Sequence, residues 1–229
     1  MSAVTAGMGG GAMPAALQNR EAAMFSGLVQ ALGKISRIDN RPGGVRLGIH
    51  AVRLGMEDVA IGDSIAVNGV CLTVIARTTS GFEADVSAET LRCTAGLDAQ
   101  GEVNLEKSLR LSDRIGGHLV SGHVDSVGEV LAFQSLGDNT LLRVRAPQEL
   151  ARYIARKGSI TVQGVSLTVN AVNGAEFEVN LIPHTVAATT LKHLKAGSRA
   201  NLEVDLIARY VERMLQPSEW VPDGGRQAG

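Results

Sequence analysis

Aromatic side chains are scarce in this chain, 3% of 229 residues, too few for base-stacking platforms or an aromatic cage around a cofactor. Cysteine is sparser still: two in all, with no secretory signal, which points to a reducing cytoplasm rather than a disulfide framework. An excess of one charge is missing too. Lys and Arg number 22 against 23 Asp and Glu, without a basic run, so neither nucleic acid nor a membrane is an expected partner. No apolar run approaches the roughly 20 residues of a membrane span. Absent as well are a glycine-rich phosphate loop, a dinucleotide fingerprint, a nucleophile elbow, an HExxH helix and a cysteine pair. Phosphoryl transfer, nicotinamide chemistry, triad hydrolysis and a zinc site lose support, and no metal or cofactor is expected.

What the chain does hold is one pattern written twice. Ser26-Gly27 recurs at Ser121-Gly122, and Val29 and Gly33 recur at Val124 and Gly128, an offset of 95. NGVCLTV (68–74) returns as QGVSLTV (163–169), and FEADVSAET (82–90) as FEVNLIPHT (177–185). The offset holds without insertion to about Thr94/Thr189. Solenoid repeats run at roughly 20–50 residues, so this period is that of a whole small domain. A chain 45% hydrophobic can bury two modest cores at this length.

Within each copy, short apolar runs of strand character are punctuated by glycine. Val45–Leu54, Ser64–Val67, Val70–Ile75 and Phe82–Val86 read as strands in the first copy. Thr140–Arg145, Ser159–Val162, Val165–Val172 and Phe177–Leu181 read as strands in the second. Asn68-Gly69 is a strong signal for a tight hairpin, and Gln163-Gly164 a weaker one in the same place. Short helical pieces are expected at Ala88–Cys93, at Gln148–Arg156 behind Pro147, and at Thr185–Leu194. No long helices alternate with strands, so the expectation is all-β: two antiparallel barrels of about six strands each, with short helices.

From Asp205 to Gln216 the apolar residues Leu206, Ile207, Tyr210, Val211, Met214 and Leu215 form one helical stripe that Pro217 ends. This amphipathic helix either caps its own barrel or packs against other subunits. The expected division is a leader at 1–23, barrels at 24–118 and 119–204, the helix at 205–216 and a disordered tail at 217–229. The Gly/Ala-rich leader reads as disordered, or as lying upstream of a functional start at Met24.

Strand alternation puts Val70, Leu72 and Val74 in the first core and turns Cys71 and Thr73 outward. Val165, Leu167 and Val169 oppose Ser166 and Thr168 in the same way. Cys71 is either a small buried hydrophobe or a polar-face group equivalent to Ser166. In GGHLVSGHVD (116–125), Ser121, His123 and Asp125 share a face, where the first copy has Ser26, Leu28 and Gln30. His123, Lys157 (Gly62 in copy one) and His184 (Glu89 in copy one) therefore belong to the second copy alone. His123 is either a proton-transfer group or a solvated surface residue.

Seven segments in order and spacing (MFSGLVQ, GDSIAVNGVCLTV, SAETL, IGGHLVSGHVD, KGSITVQGVSLTV, LIPHT and the terminal helix) resemble the riboflavin synthases with two lumazine-binding repeats. The likeness covers Met24 to about Leu215. It implies two six-stranded Greek-key barrels and a homotrimer tied by the C-terminal helices, with sites between barrels of neighbouring subunits. The implied reaction is a cofactor-free dismutation in which one 6,7-dimethyl-8-ribityllumazine gives a four-carbon unit to another. The products are riboflavin and 5-amino-6-ribitylaminouracil. By the same resemblance Gly27, Leu28, Val29, Cys71, Leu72 and Thr73 line a first pocket, with Asp85, Val86, Ser87, Ala88, Glu89 and Thr90. Gly122, His123, Val124, Lys157, Ser166, Leu167 and Thr168 line a second, with Asn180, Leu181, Ile182, Pro183, His184 and Thr185.

Cys71 and Ser166 are expected near the ring carbons, His123 as the proton-transfer group and His118 as a shaper of the junction. The nucleophile at the donor ring stays open among Cys71, Ser166, water and a ribityl hydroxyl. Ser26 replaces the threonine usual in MFTG and keeps the hydroxyl, while Gln163 replaces aspartate with an amide that hydrogen-bonds without charge. Association with a separate lumazine-forming shell protein is compatible with the resemblance and has no signal in the chain. The rival readings are a non-catalytic lumazine-binding antenna of the same fold, and a purely structural duplicated barrel.

Overall fold

A computed structural model describes residues 23–215, so the leader (apart from Ala23), Gln216 at the end of the expected helix and the 217–229 tail lie outside the described residues. The first sheet holds β1 (Ala31–Arg41), β2 (Gly44–His50), β3 (Ser64–Val67), β4 (Val70–Thr73), β5 (Ala76–Thr78), β6 (Gly81–Ser87) and β7 (Gly101–Lys107). The second holds β8 (Ser126–Leu136), β9 (Asn139–Arg145), β10 (Ser159–Val162), β11 (Val165–Asn173), β12 (Glu176–Leu181) and β13 (Arg199–Val204). The latter closes as a six-stranded antiparallel barrel in the order β10-β11-β12-β9-β8-β13. The first sheet runs β4-β3-β7-β1-β2-β6-β5, the same order with one strand broken: β4 and β5 are the halves of what is continuous as β11. The expected pair of Greek-key barrels is present.

The duplication survives in three dimensions. β1 and β8, β2 and β9, and β3 and β10 begin and end at positions 95 apart, as do the helices α1 (Ala88–Cys93) and α2 (Pro183–Ala188). Each aliphatic face lines its own core: Val70, Leu72 and Val74 in the first, Val165, Leu167 and Val169 in the second. Both hairpins turn with two successive positive φ values, +48° and +83° at Asn68-Gly69, +51° and +77° at Gln163-Gly164. That is the pattern whose twist suits adjoining strands. Gln163 tolerates it because its Oε1 accepts from Asn201 N–H at 3.1 Å, as Asn68 Oδ1 accepts from Asn104 N–H at 2.8 Å.

Several boundaries differ from the sequence reading. The strand expected over Val45–Leu54 ends at His50, and Val52–Leu54 is a 3₁₀ turn. Gln148–Tyr153 is also 3₁₀ and stops short of Arg156. The piece expected over Thr185–Leu194 divides at Thr189, an extended residue (φ −131°, ψ 167°) whose hydroxyl accepts from Leu191 N–H. β1 and β8 escaped the periodicity because each carries a register shift, at Ile35/Arg37 and at Val130/Ala132, which breaks the alternation.

The barrels meet about a local twofold. Phe25 and Val120 exchange two backbone hydrogen bonds, at 2.7 and 3.0 Å. The hairpin tips touch so closely that a Cβ on Gly69 would lie 2.8 Å from Gly164 N, and one on Gly164 2.6 Å from Gly69 N. Asn104 Nδ2 donates to Gln163 O and Asn201 Nδ2 to Asn68 O, at 2.8 and 3.0 Å, so each buried amide crosses to the other barrel. The third helix, α3 (Leu206–Leu215), is tied to the second barrel by Arg209 with Asp125 (2.6 Å) and by Glu212 with Arg152 (2.6 Å) and Tyr153. Among the described residues no helix is long and apolar enough to cross a membrane.

Candidate functional site

The outward strand faces are where alternation put them: Cys71 and Ser166 are half-buried, while Thr73 and Thr168 are exposed. What covers Cys71 and Ser166 comes from the opposite copy. Gly27 O accepts from Ser166 N–H at 2.8 Å, and Gly122 O accepts from Cys71 N–H at 2.8 Å. Val29 packs on the second core and Val124 on the first. The lead-in segments are thus exchanged, and the barrel boundary expected at 118/119 falls inside the exchanged stretch. This corrects the grouping drawn from sequence: Gly27–Val29 accompany Ser166, and Gly122–Val124 accompany Cys71. Periodicity within a copy cannot reveal an exchange between copies.

A buried carboxylate fixes each crossing. Glu106 accepts from Ser26 N–H and Oγ (both 2.7 Å) and from Gly27 N–H (3.0 Å). Glu203 accepts from Ser121 N–H and Oγ (both 2.7 Å) and from Gly122 N–H (3.0 Å). Burial pushes both carboxyls above their ordinary range, and the donors pull against it. The crossing glycines are obligatory. At φ +74° a Cβ on Gly27 would sit 2.6 Å from Ser166 Cβ, and at φ +75° one on Gly122 would sit 2.7 Å from Cys71 Cβ.

The two positions differ in what stands beside the reactive atom. His118 Nδ1 lies 2.7 Å from Ser166 Oγ, and its Nε2 lies 3.3 Å from Thr161 Oγ1. A proton on Nε2 directed at Thr161 leaves Nδ1 free to accept from the Ser166 hydroxyl. Burial lowers the His118 pKa, the charge of Asp205 opposing, so the imidazole is neutral near neutral pH. The position 95 residues earlier is Ala23, which packs in the small cluster holding Cys71. Burial raises the Cys71 thiol above its ordinary value, a hydrogen bond with Ser64 opposing, so it is a thiol at neutral pH.

His123 is exposed, its N–H donating to Ser121 Oγ at 3.3 Å. Lys157 is exposed in a left-handed conformation, φ +67°. Asp85 is exposed and paired with Arg46 at 2.7 and 2.9 Å, and Ser87 caps α1 by accepting from Thr90 N–H at 3.0 Å. Ala88 and Glu89 begin α1, with Glu89 bound to Arg92. Ile182, Pro183 and His184 are exposed at the start of α2, Asn180 is exposed on β12, and Thr185 O accepts from Thr189 Oγ1. Leu28 is exposed, whereas Leu72, Val86, Leu167 and Leu181 are core residues and offer a ligand only their backbone. Sequence reasoning missed the partnership of His118 with Ser166 and the two glutamates. Comparing His118 with Ala23 would have marked it as unique to copy two. The VNLE of 103–106 recurs as ANLE at 200–203, displaced by two further residues.

A family profile described as "Lumazine binding domain" matches residues 26–108 and again 121–205. Among curated proteins, the riboflavin synthase of Photobacterium phosphoreum is 46% identical over 194 residues, covering 84% of this chain and 89% of that protein. The riboflavin synthase of Brucella abortus is 44% identical over 200 residues, covering 84% and 98%. Among solved structures, LumP complexed with 6,7-dimethyl-8-(1'-D-ribityl) lumazine superimposes with a TM-score of 0.70 at 24% identity. LumP complexed with riboflavin gives 0.72 at 25%, and each match covers 79% of this chain and 98% of the other.

Proposed function

The chain belongs to the riboflavin synthase family of duplicated lumazine-binding domains and is an enzyme of that family, and on that premise we propose how its residues carry the reaction. Two molecules of 6,7-dimethyl-8-ribityllumazine bind, one against each hairpin face, and a four-carbon unit passes between them. Riboflavin and 5-amino-6-ribitylaminouracil leave in equal amounts. A reaction between two copies of one molecule suits a protein with two copies of one pocket. The single observation that carries the assignment of roles is the Ser166–His118 contact of 2.7 Å, which has no counterpart at Cys71.

The lumazine's own acidic C-7 methyl supplies the carbanion, so the protein has to orient two rings and move protons. Ser166, polarised by neutral His118, handles the proton in the half-site shared with Gly27–Val29. In the other half-site Cys71 packs against the ring, and His123, adjoining Gly122, is the exposed imidazole within reach. Thr73 and Thr168 add hydroxyls, and the strands through Asp85–Thr90 and Asn180–Thr185 offer backbone groups to the pyrimidine edge. Lys157 supplies a cation at the second half-site.

The enzyme acts as a cytoplasmic homotrimer. Ile207, Tyr210, Val211, Met214 and Leu215 are all exposed on α3, between 48% and 83%, while Arg209 and Glu212 hold the helix to its own barrel. This disposition supports a helix that packs on other subunits rather than one that caps its own. Facing half-sites from neighbouring chains would cover the outward hairpin faces.

Purified protein mixed with the lumazine alone tests the reading, with riboflavin followed by its longer-wavelength absorbance. Riboflavin and the ribitylaminouracil appearing one for one is the expected result. Tight binding without product would leave a lumazine-binding antenna.

A further inference from the structure

A cavity of about 710 Å³ lies away from both hairpin faces, where β1, β2 and β7 of the first barrel meet the 3₁₀ turn Thr190–His193 of the second. One wall is a row across three strands: His50 stands opposite Lys34, and Lys34 opposite Glu102. Arg53 joins from the turn after β2, and Lys192 and His193 close the row from the second barrel. The single carboxylate is already engaged: Glu102 accepts from Lys192 Nζ and His193 Nε2, both at 2.8 Å. Lys34 and Arg53 have no acidic partner within ion-pair distance among the described residues, and both are exposed. Counting the lysines and arginine, Lys34, Arg53 and Lys192, against Glu102 leaves two positive charges.

The repeat supplies an internal control. The positions 95 residues on from Lys34, His50 and Arg53 are Glu129, Arg145 and Gln148. There Arg145 is neutralised by Glu129 at 3.5 Å and by Glu176 at 2.9 Å. The uncompensated cations are therefore a property of the first barrel, not of the fold. Leu32 and the half-exposed Val52 add an apolar edge to the cavity.

We propose that this cavity is a second ligand site, which takes an organic phosphate of nucleotide size with its phosphates on Lys34, Arg53 and Lys192 and its organic part against Leu32 and Val52. Its volume is within the range of small-molecule sites, about 300–1,000 Å³. Phosphate oxygens facing several lysine and arginine donors form charge-assisted hydrogen bonds, which are stronger than neutral ones. The site makes no use of the groups assigned to lumazine chemistry.

Adenosine 5'-diphosphate is the probe, titrated by calorimetry into the full chain at low ionic strength. The expected result is one site per chain, with affinity falling as salt is added. Lys34→Ala and Arg53→Ala should each weaken it about tenfold, while Arg145→Ala leaves it unchanged. Both residues are exposed, and riboflavin formation without the nucleotide should match the parent, confirming that the variants fold. No binding by the parent chain would overturn the proposal. So would binding that survives Lys34→Glu with Arg53→Glu, or binding that Arg145→Ala weakens as much.

Discussion

Cys71 and Ser166 occupy the same place on the same hairpin, and everything that holds the hairpins is shared. Each is crossed by a glycine of the other copy, each crossing is clamped by a glutamate, and each turn is locked by an asparagine reaching over the twofold. The neighbours of the two side chains are not shared. Ser166 has an imidazole at 2.7 Å, whereas Cys71 has Ala23 and Phe25 around it. Divergence in this duplicated enzyme is confined accordingly: the clamps cannot drift without unfastening both barrels, but the residue beside the reactive atom can.

The largest expected effect tests the shared half. Glu203→Ala leaves the Ser121 and Gly122 N–H groups buried without an acceptor and should cost about 2–5 kcal/mol in denaturant unfolding. Glu106→Ala should cost the same within error, because its geometry is the same. Unequal losses would break the symmetry of the clamps.

A smaller effect probes the unshared half through pH. An unfolded imidazole titrates at about 6.5, and burial holds folded His118 below that. Between the two values the unfolded chain binds the additional proton. The His118 contribution is therefore complete above the unfolded pKa and is lost as pH falls through the folded one, with a slope up to about 1.4 kcal/mol per pH unit. His118→Gln should flatten that part of the stability–pH curve, and an unchanged curve would contradict the assignment.

The smallest effect concerns a mismatch between the two hairpin turns. Gln163→Asn makes the second turn like the first and should shift stability by less than about 1 kcal/mol. A larger loss would mean that the longer side chain does more than its bond to Asn201 N–H.

Much of this was legible in the sequence. The period of 95 gave the duplicated domains, and strand alternation correctly sorted Val70, Leu72 and Val74 from Cys71 and Thr73. The exchange of lead-in segments was not legible, because Gly27 and Ser166 are joined by a backbone contact between copies, which leaves no periodicity. The role of His118 beside Ser166 is hidden in the sequence because its partner lies 48 positions away and its counterpart, Ala23, falls before the recognisable repeat. The strand overrun at Ala51 has a local cause: apolar residues continue, but the chain turns there into 3₁₀ geometry.

The most direct test measures riboflavin formation at saturating lumazine for Ser166→Ala and Cys71→Ala side by side. The kcat of Ser166→Ala is expected to fall about a hundredfold, the scale of losing a positioned proton-transfer group, and that of Cys71→Ala less than about tenfold, because Ala23 takes the place that His118 has beside Ser166. Equal losses in the two variants would contradict the division of labour between the barrels.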